Sequence, residues 1–120
     1  LAQEVAAVGI ALGHDVENFG GKKASEWADA SKGDVYEVLD GELAAKSSGA
    51  NWRPSMAQDV VKGRPTEIYQ MNGFVCEQGA TVGIATPVNA AMADVIRAID
   101  ANELEAGFEN VERVLKAAGY

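Results

Sequence analysis

The stretch that decides the fold is residues 53–83, which read RPSMAQDVVKGRPTEIYQMNGFVCEQGATVG and continue at 84–89 with IATPVN. Ser55 followed three residues later by Gln58 has the form of a capping box, which starts a helix. Gly63 ends that helix after about two turns. Ser, Asp, Arg and Glu are dense around the helix starts of this stretch. In a helical domain such starts can present a ligand site, so we expect the functional residues here.

Helical signals continue to the end of the chain. Pro65 and Thr66 open a helix that ends at Gly83, and Thr86-Pro87 opens another with proline at its first position. The apolar residues expected to share one face are Ile68, Met71, Val75 and Val82 in the first helix and Val88, Met92, Val95 and Ile99 in the second. A last helix, ended by Gly119, is predicted from the spacing of Leu104, Phe108, Val111, Leu115 and Ala118.

The first half of the chain carries weaker helical signals. Apolar periodicity predicts a helix over residues 1–12, stopped by Gly13. A short helix is expected at residues 25–30 with Ser25 as its N-cap, and another at 34–43 with Asp34 as its N-cap. Residues 47–54 read as a loop. No alternating strand pattern is present, so the sequence predicts an all-α fold, with residues 1–120 as a single helical domain.

Composition limits the functions this chain can have. Its 120 residues carry a formal charge of −8, which argues against a nucleic-acid or anionic-membrane surface. No apolar run approaches the roughly 18 residues of a membrane span. The single cysteine, Cys76, fits a reducing compartment, so we expect a cytoplasmic protein. The single histidine, His14, has no metal-binding or nucleophilic neighbour in sequence, so we expect a surface residue and no metal site.

Four polar residues near the helix starts have both a structural and a functional interpretation. Glu67 in a first helical turn is favoured by the helix dipole, or it is a site carboxylate that orients a cation or a hydroxyl. Ser55 caps a helix, contacts a ligand, or does both. Asp59 and Arg64 pair with each other or with Glu67, and Arg64 is alternatively a ligand clamp. Met71, Phe74 and Cys76 are expected in the core. Trp27 and Trp52 are expected to dock against the core, with covering a cleft as the alternative. Spacing alone does not separate these interpretations.

Several separated motifs together resemble a known family. They are Ser55-Met56-x-x-Asp59, Gly63-Arg64-x-Thr66-Glu67-Ile68, Asn72-Gly73 and Gly83-Ile84-x-Thr86-Pro87-x-Asn89. In order and spacing they resemble the C-terminal domain of the ketopantoate reductases, also called 2-dehydropantoate 2-reductases. The resemblance is specific over residues 51–100, and the flanking helices match only in general character.

The resemblance implies a fold and an activity. The fold would be a multi-helix C-terminal domain of the 6-phosphogluconate dehydrogenase C-terminal-like type. Members join it to an N-terminal Rossmann domain that binds NADPH, and they reduce the 2-keto acid ketopantoate to pantoate for pantothenate and coenzyme A synthesis. This chain has no G-x-G-x-x-G fingerprint, so NADPH would be bound mainly by a Rossmann domain absent from the chain. We therefore expect the chain alone to be inactive.

The resemblance also implies roles for particular residues. Glu67 matches the family's active-site glutamate, which lies near a lysine that acts as general acid. Ser55 matches a substrate-binding serine, Asn51 is a weaker substrate-binding candidate, and Asp59 and Arg64 are candidate supporting residues. Two features depart from the family. No lysine followed by asparagine on one helix is found, and Tyr69 stands where many relatives have aspartate.

Two other functions stay open at this point. The chain could be a helical dimerisation or interaction module without catalysis, built on the apolar stripes of its last two helices. It could also be the helical domain of another 2-hydroxy acid dehydrogenase. The expected partners are a small 2-keto acid, the Rossmann domain of the same protein and, as a further candidate, a second copy in a homodimer.

Overall fold

A computed structural model describes residues 1–30, 35, 37, 38, 41 and 54–120. Their regular structure is helical, and the part of the chain that is described contains no β-strand, only an isolated bridge between Phe19 and Lys22. The predicted all-α fold is confirmed. None of the helices in the described ranges combines the length and apolar character of a membrane-spanning segment.

The chain divides into two compact units, Leu1–Trp52 and Arg53–Tyr120. The described helices of the first unit are α1 (Ala2–Ala11) and α2 (Ala24–Ala28). Those of the second unit are α3 (Ser55–Val61), a π-helix (Tyr69–Gly73), α4 (Phe74–Val82), α5 (Pro87–Asp100) and α6 (Asn110–Ala117). The expectation of a single domain over residues 1–120 stays a prediction.

In the first unit α1 packs against α2 around one large side chain, Trp27, which is 3% exposed. Small residues of α1, such as Ala6, let the two helix backbones approach closely around the indole. The Trp27 ring stacks on Phe19 with centroids 4.3 Å apart, and its Nε1–H donates to the Phe19 carbonyl at 3.0 Å. Trp27 therefore lies in the core, as predicted, with its polar atom satisfied.

The start of α2 differs from the prediction. The N-cap is Lys23 rather than Ser25, and the Lys23 backbone N–H donates to the Glu26 carboxylate at 2.8 Å. Glu26 thus supplies the carboxylate of a capping box that begins two residues earlier than expected. The expectation for Ser25 was wrong because the sequence offers two polar starts, and burial of Trp27 and Ala24 on one face decides between them.

Part of the first unit lies outside the described residues. These undescribed residues include the predicted N-cap Asp34, Trp52, and the predicted loop at 47–54 except for residue 54. Within the helix predicted after Asp34, the described residues Val35, Glu37 and Val38 are helical.

In the second unit glycines end helices as predicted. Gly63 follows α3 with φ +63° and Gly83 follows α4 with φ +71°, a left-handed conformation that a Cβ would strain. Thr86 is the N-cap of α5 and Pro87 its first residue, also as predicted. The last helix was predicted too long, because α6 begins only at Asn110.

The predicted side-chain faces of the second unit are partly wrong. Ile68 is buried, but Met71 is 56% and Phe74 is 54% exposed. A π-helix places more residues in each turn than an α-helix does, so residues after Tyr69 rotate away from the face that a 3.6-residue period predicts. Phe108 precedes α6 and is 93% exposed, and the buried residues of that helix are Asn110 and Val114. Met71 and Phe74 are therefore not core residues among the described part of the chain.

Candidate active site

The π-helix at Tyr69–Gly73 is held to α5 by a pair of asparagines. Asn72 Nδ2 donates to Asn89 Oδ1 at 2.9 Å. Asn89 is 1% exposed, in the first turn of α5. Because a buried amide without partners costs free energy, this bond favours one register of the π-helix against α5. The bond explains why the sequence places asparagine at both positions.

Like the tether formed by the Asn72–Asn89 bond, another tether fixes the chain just before the π-helix. The Thr66 backbone N–H and its Oγ1 hydroxyl both donate to Asp100 Oδ2, at 3.1 and 2.7 Å. Asp100 is the last residue of α5, where the helix dipole disfavours a negative charge. Its carboxylate is instead stabilised by the two donors of Thr66. Thr66 therefore does not open a helix as predicted, but ties the loop to the end of α5.

Glu67 lies directly between these tethers. It forms a bend before Ile68, the first helical residue, and its carbonyl accepts from the Met71 N–H at 3.1 Å. Its side chain is exposed, and its carboxylate makes no hydrogen bond or ion pair with any described residue. The backbone of Glu67 is thus constrained while its carboxylate is free to orient a cation or accept a hydrogen bond.

Ser55 is the first residue of α3 and is exposed. The N-cap of α3 is Pro54, and no side chain caps the helix, so the predicted capping box of Ser55 and Gln58 is wrong. Proline at residue 54 sets an extended conformation there and shifts the helix start by one residue. The Ser55 hydroxyl makes no hydrogen bond within the described residues, which leaves it available to a ligand.

Asp59 and Arg64 are joined through the backbone only. The Arg64 N–H donates to the Asp59 carbonyl at 2.9 Å, closing the turn after α3. Within the described chain no ion pair links the Asp59, Arg64 and Glu67 side chains, so the predicted pairing is wrong. The positive φ of Gly63 turns the backbone there, and Arg64 is exposed after it.

Arg64 lines a polar cavity of about 580 Å³. Asp100, Glu103 and Glu105 line the same cavity. Three carboxylates outweigh one guanidinium, so this cavity disfavours an anionic ligand such as a keto acid. The structure thus places Arg64 in this cavity and neither Glu67 nor Ser55 among its lining residues.

Tyr69 and Gly73 are neighbours within the π-helix. A Cβ on Gly73 would lie 3.3 Å from Tyr69 Cδ1, so glycine gives the Tyr69 ring its space there. Tyr69 is 54% exposed and lies two residues after Glu67. Asn51, the weaker substrate-binding candidate, lies outside the described residues.

An apolar groove of about 660 Å³ runs along the second unit between α3, α5 and α6. Residues from all three helices line it, among them Met56, Val60, Met92, Val95, Val111 and Val114. Asn110, at the start of α6, also lines the groove, and its buried Oδ1 has no hydrogen-bond partner among the described residues. Phe108 lines the groove as well, although most of its ring faces solvent.

Sequence reasoning assigned no role to Asp100, Asn72 or Asn89, although the last two belong to the quoted motifs. A signal for each was present. Asp100 is an acidic residue at a helix C-terminus, an unfavourable place that suggests a specific partner. Asn89 is three residues before Met92, so it interrupts an apolar face with a polar group that must be hydrogen-bonded when buried.

Comparison with known proteins decides the family. The family model described as "Ketopantoate reductase PanE/ApbA C terminal" matches residues 1–100. This chain belongs to the ketopantoate reductase C-terminal family. The match confirms the resemblance and extends it from residues 51–100 to the start of the chain, so the first unit belongs to the ketopantoate reductase C-terminal domain as well.

Two curated relatives carry the same name. A 2-dehydropantoate 2-reductase from Vibrio cholerae is 40% identical over 73 residues, covering 61% of this chain and 22% of that protein. A 2-dehydropantoate 2-reductase from Pyrobaculum aerophilum is 35% identical over 98 residues, covering 82% of this chain and 29% of that protein. The chain thus spans less than a third of each ketopantoate reductase. No solved structure matches it significantly.

Proposed function

We propose that this chain is the helical C-terminal part of an NADPH-dependent 2-dehydropantoate 2-reductase, and that it supplies the substrate side of the active site. The observation that supports this most directly is the free carboxylate of Glu67. It stands in the motif Thr66-Glu67-Ile68, on a backbone bonded to α5 on both sides. The backbone of Glu67 is therefore constrained on both sides, although its side chain is exposed to solvent.

The reaction we propose is reduction of the 2-keto group of ketopantoate to the alcohol of pantoate. NADPH, bound mainly by an N-terminal Rossmann domain, would supply the hydride. The keto oxygen gains negative charge during this step and needs a proton donor and a positive charge nearby. Glu67 would hold the ammonium group of a lysine from the remaining polypeptide in position for that proton transfer. Glu67 suits this supporting role better than direct acid catalysis.

Ser55 would bind the substrate carboxylate or hydroxyl. Its hydroxyl is exposed at the first residue of α3 and has no partner within the described residues. Because Ser55 is anchored in a helix, its contact with substrate would limit misorientation of the keto group. Asn51 would be a further substrate contact, and Asp59 a supporting residue beneath Ser55, one helical turn later. We do not extend a substrate role to Arg64, since the carboxylates lining its cavity disfavour an anion.

The test uses the longer polypeptide in which this chain follows a Rossmann domain. Glu67→Gln should lower ketopantoate-dependent turnover by about 10²-fold or more, because it removes charge from the site at nearly constant volume. The melting temperature should not change, since Glu67 is exposed and unpaired in the described chain. Turnover is measured as the loss of NADPH absorbance at saturating substrate.

Glu77→Gln is the matched control. Glu77 is also an exposed glutamate, in the first turn of α4, and should tolerate the change without effect on turnover. Equal turnover of the Glu67→Gln variant and the parent would overturn the proposed role of Glu67. Ketopantoate-dependent oxidation of NADPH by the chain alone would overturn the proposed need for a Rossmann domain.

Substrate choice distinguishes this proposal from another 2-hydroxy acid dehydrogenase. Tyr69 introduces an aromatic side chain where many relatives have aspartate, close to Glu67. Comparison of kcat/KM for ketopantoate with that for smaller 2-keto acids decides between the two. A clear preference for a keto acid other than ketopantoate would reject the proposed substrate.

The apolar groove favours a second candidate function, association of the second unit with another protein surface or a second copy. Its wall and the exposed Phe108 are the kind of surface that protein interfaces use. This function does not exclude catalysis, since both can belong to one polypeptide. Sedimentation velocity of the chain at several concentrations tests self-association directly.

A further inference from the structure

We infer that Asp100 and Asn89 are positioning residues for Glu67, and that α5 acts as the rigid support of the catalytic carboxylate. This inference rests on the proposed function. It concerns residues that have no contact with substrate in that proposal and act only through the backbone of residues 66–72. The observations that support it are the two tethers on either side of Glu67.

The first tether restrains the residue before Glu67. Two donors of Thr66, the N–H and the hydroxyl, converge on one oxygen of Asp100. Bonds to a charged acceptor are stronger than neutral ones, and two bonds from one residue restrain both its backbone and its side chain. The dipole at the C-terminus of α5 disfavours the Asp100 carboxylate. The hydrogen bonds from Thr66 are therefore the interactions that stabilise this carboxylate there.

The second tether restrains the turn after Glu67. Ile68 is 3% exposed, and the Met71 N–H bonds the Glu67 carbonyl. Asn72 then reaches Asn89 from within the π-helix. Single π-helical turns are frequent at functional sites because the extra residue changes side-chain direction locally. Here the π-helix brings Asn72 to Asn89 while the exposed side chains of Tyr69 and Met71 face solvent.

Both tethers end on the same helix. Asn89 and Asp100 are eleven residues apart in α5, which corresponds to about 16 Å along a helix that rises 1.5 Å per residue. The backbone segment that contains Glu67 is therefore hydrogen-bonded at both ends to α5, through Asp100 and Asn89. A displacement of about 1 Å at a catalytic group can cost up to about 10²-fold in rate, so a tether of this kind has a measurable effect on turnover.

A double-mutant cycle in the longer polypeptide tests the inference. Thr66→Val removes the hydroxyl donor at constant shape and should lower kcat about tenfold with little change in KM. In the Glu67→Gln background the same change should have almost no further effect, because a misplaced carboxylate matters only when the carboxylate is present. Thr66→Ser, which keeps the hydroxyl, should restore turnover to near the parent value.

The chain offers a matched control in Thr81. Its Oγ1 donates to the Gln78 carbonyl at 2.7 Å on the exposed face of α4. Thr81→Val removes a hydroxyl bond of the same length away from Glu67 and should leave kcat unchanged. If Thr66→Val does not fold, Asp100→Asn replaces it in the cycle, since the amide keeps one oxygen acceptor and removes the charge.

The outcomes separate this inference from the proposed function. If Glu67→Gln leaves turnover unchanged, the proposed function itself is wrong. If Glu67→Gln lowers turnover but Thr66→Val does not, or if the two losses multiply, Glu67 is catalytic and the positioning role of Asp100 is wrong. Loss of turnover in Thr66→Ser equal to that in Thr66→Val would also reject it, because the hydroxyl bond would then not be the cause.

Discussion

The contacts within the first unit of this chain differ in kind from the contacts within the second unit. In Leu1–Trp52 the described core is apolar, with Trp27 packed among small side chains and stacked on Phe19. In Arg53–Tyr120 two of the buried residues are asparagines, Asn89 and Asn110, and the loop with Glu67 is held by hydrogen bonds. Many large apolar side chains of the second unit are exposed as well.

This difference separates stability from positioning. Apolar packing stabilises a helix pair without fixing the direction of any one polar side chain, since it is non-directional. Hydrogen bonds to buried amides and to a carboxylate have strict geometry, so they define the place of a backbone segment. The described contacts of the first unit are mainly apolar packing, and those around Glu67 in the second unit are directional hydrogen bonds. The following substitutions test that contrast, beginning with the largest expected effect on stability.

Trp27→Ala should have the largest effect on stability, about 3–5 kcal/mol, because it removes the central side chain of the first unit and leaves a cavity. Amide hydrogen exchange of α1 and α2 measures the loss locally. Trp27→Phe is the control, since it keeps an aromatic ring against Phe19 but removes the Nε1–H donor, at a cost of about 1 kcal/mol. Unchanged protection of α1 in Trp27→Ala would show that the first unit does not depend on this side chain.

Asn89→Ala should destabilise the second unit by about 1–3 kcal/mol, because it leaves the Asn72 amide without its partner at a half-buried position. Asn72→Ala should cost a similar amount, because it removes this donor from the buried Asn89 Oδ1. The double variant should cost less than the sum of the two, as expected for a directly coupled pair. Chemical denaturation followed by circular dichroism gives all three values. Strictly additive losses would mean that the asparagines act independently and that the second unit lacks this tether.

Phe108→Ser should change stability by no more than about 0.5 kcal/mol, because the ring is 93% exposed. Val114→Ser on the same groove should cost clearly more, since Val114 is 5% exposed. Thermal unfolding of the two variants measures this contrast. A large loss for Phe108→Ser that depends on protein concentration would show that Phe108 is covered by a second copy, in favour of the interaction function.

Local signals predicted much of this fold. The stops at Gly63 and Gly83 and the Thr86-Pro87 start follow from backbone preferences of single residues, which hold in almost any context. The π-helix was not predicted, because the apolar spacing of this stretch fits an ordinary α-helix, and the bond of Asn72 goes to a residue seventeen positions away. The same limit applied to Ser55, where the helix start was correct within one residue but the capping bond was not formed.

The site roles of Glu67 and Ser55, assigned through motifs, stay predictions. The structure leaves both side chains exposed and unpaired within the described residues. Asp59 and Arg64 were expected to pair because they are close in sequence, but a turn through Gly63 joins their backbones without bringing their charges together. Asp100 was missed because its partner, Thr66, lies thirty-four residues earlier.

The sequence by itself determined the all-α class, the helix boundaries set by glycine and proline, and the family, because these depend on local preferences and on motif order. Only the tertiary structure showed that Glu67 lies between two tethers to α5 and that Arg64 lines a cavity with three carboxylates. The physical reason is that hydrogen bonds and burial depend on distance in space, and residues far apart in sequence meet only after the chain has folded.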